Sequence, residues 1–152
     1  MIKKKSFIIL IIILFTGCEY KPIYSDANKS IYNIIVTDIT GDKNLNKFLL
    51  ENLNRNSQKN SDESVFIKIN TIYTKSILAK NTAGTVTDYQ IKAVTTFTID
   101  QKQETKTFTV EEKFNYQKMS DKYEEKNYEQ NIKKNLATTI SQKLILRLSI
   151  TQ

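Results

Sequence analysis

Few side chains in this chain could react. Its 152 residues include one cysteine, Cys18, and no histidine. Without imidazole it lacks the commonest general base near neutral pH and the commonest metal ligand, so catalysis is disfavoured from the outset. A hydroxyl could still be activated by an amine, and Ser76 with Lys80 is a candidate pair, although that spacing is not diagnostic. The acidic pairs Asp62-Glu63 and Glu111-Glu112 lack the ligand spacing of a calcium loop and read as solvated loop and strand ends. The expectation is a protein that is not an enzyme and holds no metal or cofactor. Amines are what remain: Lys68, Lys75, Lys80, Lys92, Lys113, Lys118, Lys122 and Lys126. Most read as solvated surface, but a few ammonium groups in register would suit a phosphorylated ligand.

Cys18 has its own context. The chain opens with Lys3, Lys4 and Lys5, continues through an apolar block from Phe7 to Phe15, and offers Thr16 and Gly17 before the cysteine. A basic start, a short greasy run and small residues at a cleavage point are the layout of a secretory signal. The block is about half the roughly 18 apolar residues a spanning helix requires. "FTGC" resembles the bacterial lipobox, with Phe15 in place of the usual leucine, and cleavage before Cys18 would leave its thiol diacylglycerated. More than one acyl chain gives stable anchoring. The competing reading is a retained anchor helix with a free, buried thiol. On the lipidated reading, residues 1–17 are a signal peptide, 18–30 a lipidated tether containing the only proline, Pro22, and 31–152 a single domain.

With no second cysteine, that domain must rest on packing rather than disulfides. The formal charge is +7, of which Lys3, Lys4 and Lys5 supply three, so residues 18–152 keep +4. Arg55 and Arg147 are the only arginines. A mildly basic, lysine-dominated surface without arginine forks disfavours a reader of nucleic-acid bases.

Periodicity supplies the elements. "IYNIIVTDIT" from Ile31 to Thr40 reads as a strand closed by Gly41-Asp42. Leu45, Phe48, Leu49 and Leu53 mark an amphipathic helix with Asp42 placed to cap it. Val65, Ile67 and Ile69 alternate along a second strand whose later part is blurred by Ile72 and Ile77. After a loop over residues 79–87, Tyr89, Ile91, Ala93, Phe97 and Ile99 form the inward side of a third strand. Phe108, Val110, Phe114 and Tyr116 share a face of a fourth, interrupted by Glu112, which implies either a bulge or a sheet edge at that point. From Ser120 the period becomes helical, with Tyr128, Ile132, Leu136, Ile140, Leu144 and Leu148 spaced by four and widened by Ala137 and Ile145. The order strand, helix, three strands, helix predicts an α+β domain: one mostly antiparallel sheet of about four strands, packed on one face by two helices and polar on the other.

Read in order, "GCEYKPIY", "LNKFLLENLNR", "KNTAGTVTDYQIKAVTTFTI" and the C-terminal stretch from Phe114 to Leu148 resemble the LptE family of lipopolysaccharide-assembly lipoproteins across nearly the whole of residues 18–152. Glu19 replaces a glycine of the family's opening signature, while Tyr20, Lys21, Pro22, Ile23 and Tyr24 fit it; Asp88-Tyr89-Gln90 and Lys126 to Gln130 match the starts of a family strand and helix. The resemblance implies one sheet backed by two helices. It further implies an outer-membrane lipoprotein, anchored by its N-terminal lipid, that works without catalysis as plug and assembly partner of the LptD β-barrel in delivering lipopolysaccharide to the cell surface, a monomer within a hetero-complex. A family basic residue in the loop before the "Tyr-Gln" strand and another just before the last helix contact lipopolysaccharide; Lys80 and Lys126 occupy those places, with Lys75 the alternative for the first. An envelope lipoprotein adaptor or chaperone that binds strand edges of another protein shares the same sequence features.

Overall fold

Along the second strand Val65, Ile67, Ile69 and Thr71 are buried while Phe66, Lys68 and Asn70 are exposed, the two-residue period of a sheet covered on one side only. The structure, a computed structural model, describes residues 30–101 and 104–150. Its elements are β1 (Asn33–Gly41), α1 (Lys43–Asn56), β2 (Ser64–Lys80), β3 (Val86–Gln101), β4 (Glu104–Gln117) and α2 (Lys122–Ile150). The strands form one sheet in the order β1-β2-β3-β4, with β1 parallel to β2 and the other two pairs antiparallel. The helices pack together and on the same face, closing one core that includes Leu45, Leu49, Ile67, Phe97, Ile140 and Leu144. This is the predicted α+β architecture. Cys18 and the rest of residues 1–29 lie outside the described residues, and Ser30 is already buried, its N–H donating to the Asn56 carbonyl at 2.9 Å.

Local chemistry sets the boundaries. Asp42 caps α1 through a 2.8 Å hydrogen bond accepted from the Leu45 N–H, and Asp121 accepts from the N–H groups of Tyr123 and Glu124 to start α2. The turn between β2 and β3 is tighter than the expected loop over residues 79–87. Strand pairing continues to Lys80 and Val86, because Asn81 closes residues 81–85 by accepting from the N–H groups of Ala83 and Thr85. Glu112 needs no bulge: β4 pairs with β3 without interruption and is an edge strand, where Lys143 of α2 reaches its carboxylate. Phe114 has the inward parity but stays 39% exposed, although α2 reaches Glu112 and Tyr116 on either side of it.

The buried stripe of α2 winds. Ile132 and Lys133, Leu136 and Ala137, Ile140 and Ser141, Leu144 and Ile145, then Leu148 recur every four residues. At about 100° per residue each pair sits about 40° further round the helix than the one before. The buried side of the helix therefore rotates along its length, and α1 and the sheet share it. Tyr128, first of the predicted stripe, remains 36% exposed.

Candidate binding surface

The sheet has two unlike ends. From Phe66 to Thr71 β2 is flanked by both β1 and β3, whereas from Ile72 to Lys80 it pairs, among the described residues, with β3 alone. That far end also carries the 81–85 turn, the end of β4 and the start of α2, so the backbone gathers Lys80, Lys118, Lys122 and Lys126 there.

A polar chain fastens α2 to this end. Lys75 projects toward the helix rather than onto the polar face, donating to Glu125 at 2.8 Å and to Glu129 at 3.2 Å. Its ammonium also lies 4.3 Å from the Tyr89 ring centre and 5.3 Å from that of Tyr116. Partial burial works against the charge, but the hydrogen bonds with Glu125, Tyr116 and Glu129 outweigh it and hold the Lys75 pKa above its ordinary value. The Lys75 hydrogen bond in turn holds the Glu125 carboxyl below the usual carboxylate range. Tyr73 donates its hydroxyl to Glu129 at 2.8 Å, and burial together with that bond pushes its phenol well above normal. Next along α2, Lys133 is almost fully buried, 3.2 Å from Asp42 and 3.8 Å from the centre of the Tyr73 ring. Asp42 thus caps α1 and neutralises α2 at once. Sequence reading missed Lys133, because a lysine inside an apolar stripe reads as a snorkelling surface residue. Its offset of one from Ile132, repeated by Ala137 and Ile145, was the available signal.

Of the residues expected to meet a phosphate, Lys80 ends β2 and is exposed, and Lys126 is exposed one turn inside α2 rather than ahead of it. Neither forms an ion pair with a described residue. Lys75, the alternative to Lys80, is committed to Glu125 and Glu129. Ser76 turns its hydroxyl to the Gln90 carbonyl at 3.5 Å.

The sheet face away from the helices is uncovered by any described residue and largely polar. Thr74, Thr96, Thr98, Thr107 and Thr109 stand there, with Thr96 and Thr109 bonded hydroxyl to hydroxyl at 3.2 Å. Lys92 and Lys113 face each other across β3 and β4, and Glu111 bridges them at 2.9 and 3.1 Å. Ile72 and Phe66 are apolar exceptions, 58% and 45% exposed. No described helix is long and apolar enough to cross a membrane.

Solved bacterial lipoproteins share this fold. Rare lipoprotein B from Shewanella oneidensis matches with a TM-score of 0.58 at 14% identity, over 75% of this chain and 95% of that one. Lipoprotein B from Nitrosomonas europaea gives 0.58 at 12% identity, covering 81% and 86%. A minor lipoprotein from Acinetobacter baumannii gives 0.52 at 15% identity, covering 77% and 95%. No protein-family model and no curated protein sequence matches the chain. At these identities the likeness is one of fold.

Proposed function

We propose that this protein is an outer-membrane lipoprotein of LptE type, which sits as a plug in an LptD-like β-barrel, supports assembly of that barrel and helps pass lipopolysaccharide to the cell surface. The observation that carries the reading is the fold shared with bacterial lipoproteins over nearly their whole length, in a chain whose N-terminus ends its apolar run in "FTGC". The polar sheet face suits a hydrated barrel lumen, where alternate threonines and bridged charges need no apolar cover. A lipid on Cys18 confines the domain to the membrane of its partner and raises its local concentration without new contacts.

Within this reading Lys80 is the loop contact for lipopolysaccharide and Lys126 the helix contact. The engagement of Lys75 with two carboxylates and two rings favours Lys80, since a phosphate at Lys75 would have to displace both acids. Lysine offers a phosphate a point charge rather than a bidentate fork, so each contact is individually modest.

The test is affinity purification of the detergent-extracted native protein, with mass spectrometry of its companions and of its N-terminal peptide. A large outer-membrane β-barrel recovered together with acylated Cys18 is the expected result. Acylated Cys18 with a different companion would replace the plug by an adaptor or chaperone, and an uncleaved, unmodified N-terminus would remove both readings. With a barrel in hand, Lys80→Glu and Lys126→Glu should each weaken lipopolysaccharide binding by up to about fivefold, the scale of an exposed ion pair.

A further inference from the structure

β1 stops opposite Thr71, and its ending is enforced. Gly41 has φ of 100°, and a Cβ there would lie 1.8 Å from the Thr71 carbonyl oxygen, so only glycine allows the chain to leave β2 at this point. The Asp42 N–H then donates to that same carbonyl at 3.3 Å. The Thr71 carbonyl therefore points away from β3. Backbone polar groups alternate sides along a strand. Tyr73, Lys75 and Ile77 accordingly direct their N–H and C=O groups past the end of β1, while Ile72, Thr74 and Ser76 direct theirs to Val94, Lys92 and Gln90. Among the described residues no strand pairs with this stretch of β2 on that side. It runs six residues, roughly 20 Å and an ordinary strand length, before the register shifts at Leu78.

Free strand edges invite pairing, and proteins guard them with charge. The edge strand β4 is guarded by Glu104, Lys106, Glu111, Glu112 and Lys113. The open stretch of β2 is not. Ile72 and Ile77 are 58% and 53% exposed, and the single charge between them, on Lys75, is turned inward to Glu125 and Glu129.

We propose that the edge from Ile72 to Ile77 receives an extended strand of a partner protein, laid end to end with β1 and apolar where it passes Ile72. The backbone groups of Tyr73, Lys75 and Ile77 supply its hydrogen bonds, and Ile72 a side-chain contact on the open sheet face. A second copy of this chain fits less well, because pairing this edge with itself sets two sheets side by side and buries little beyond the edge. An edge roughly 20 Å long and 10 Å deep offers about 200 Å² to each side, well short of the roughly 800 Å² per partner of a stable complex. The occupant must gain further area from the adjoining sheet face, as a larger partner can. The inference needs a protein partner but does not need that partner to be a barrel.

Amide hydrogen exchange on the full chain, measured in the detergent-extracted assembly and on the lipoprotein alone, tests this. The Tyr73, Lys75 and Ile77 amides should exchange at least about tenfold more slowly in the assembly, while Thr74 and Ser76 are protected in both. Ile77→Pro deletes one outward N–H and no bond to β3, so it should cut recovery of the partner about tenfold while the melting temperature moves by no more than a few degrees. Equal exchange in both samples, wild-type recovery with Ile77→Pro, or absence of any protein partner would overturn the inference. So would protection that appears on simply concentrating the lipoprotein, which would mark a second copy. A barrel recovered with these amides unprotected leaves the plug standing and removes the edge. Protection by a partner that is not a barrel does the reverse.

Discussion

The two halves of β2 have similar composition and opposite fates. Val65, Ile67, Ile69 and Thr71 are no more than 2% exposed, whereas Ile77, on the same side of the strand, is 53% exposed. Intrinsic strand preference does not separate them, since both halves are rich in β-branched residues. What separates them is where β1 ends and where α1 begins, both fixed at Gly41 and Asp42. The near half is held by apolar burial, and the far half by the pairing of β2 with β3 and the polar chain from Asp42 through Lys133, Tyr73 and Glu129 to Lys75 and Glu125.

The comparison is broken most severely from the near half. Phe97→Ala, in the middle of β3 with a fully buried ring, should cost about 3–5 kcal/mol in urea unfolding. Gly41→Ala should cost at least about 2 kcal/mol and expose the Thr71 region to exchange, because the new methyl and the positive φ both oppose the native exit from β1. Asp42→Ala removes a helix cap and strands the buried Lys133 ammonium, so it should cost about 2–3 kcal/mol, more than the roughly 1 kcal/mol of a cap alone. Asp42→Asn, which keeps the cap, separates the two contributions.

Acid should loosen the far half first. Glu125 has a folded pKa below its unfolded value near 4.5, so its contribution is present above that pH and is lost as pH falls through the folded pKa. Lys75 is shifted upward, so its contribution holds below about pH 10.5 and is lost only as pH rises past its folded pKa. Exchange at the start of α2 should therefore rise below pH 4.5 before the core opens, and Glu125→Gln should remove that acid step. A smaller effect of opposite sign is expected at Thr95, fully buried on β3 with a hydroxyl that finds no partner among the described residues. Thr95→Val should stabilise by about 1 kcal/mol. Smallest of all, Ile77→Ala in the isolated protein should change stability by no more than about 0.5 kcal/mol, because that side chain is already in water.

Much of the fold was legible in the residues. The alternation in β3, the leucine spacing in α1 and the Asp42 cap each depend on local period and chemistry, and each appears as expected. Glu112 posed two alternatives, and strand order chose the edge. Lys80 and Lys126 could be named from sequence, but their exposure, and the engagement of Lys75 that sets it apart from them, could not. The place of Lys133 in the buried stripe could be read, but its pairing could not, because its partners, Asp42 and Tyr73, are remote in sequence.

The sequence by itself determined the kinds of element, their order and the face each would bury, because these follow from side-chain periods of two and about 3.6 residues acting over short stretches. It also determined the context of Cys18, a matter of adjacent residues. Only the tertiary structure decided that β1 would stop beside Thr71, that one lysine would be buried and another clamped, and that half of β2 would have one edge unpaired among the described residues. Those outcomes depend on which distant groups arrive to satisfy a charge or a backbone N–H, and no local period encodes that.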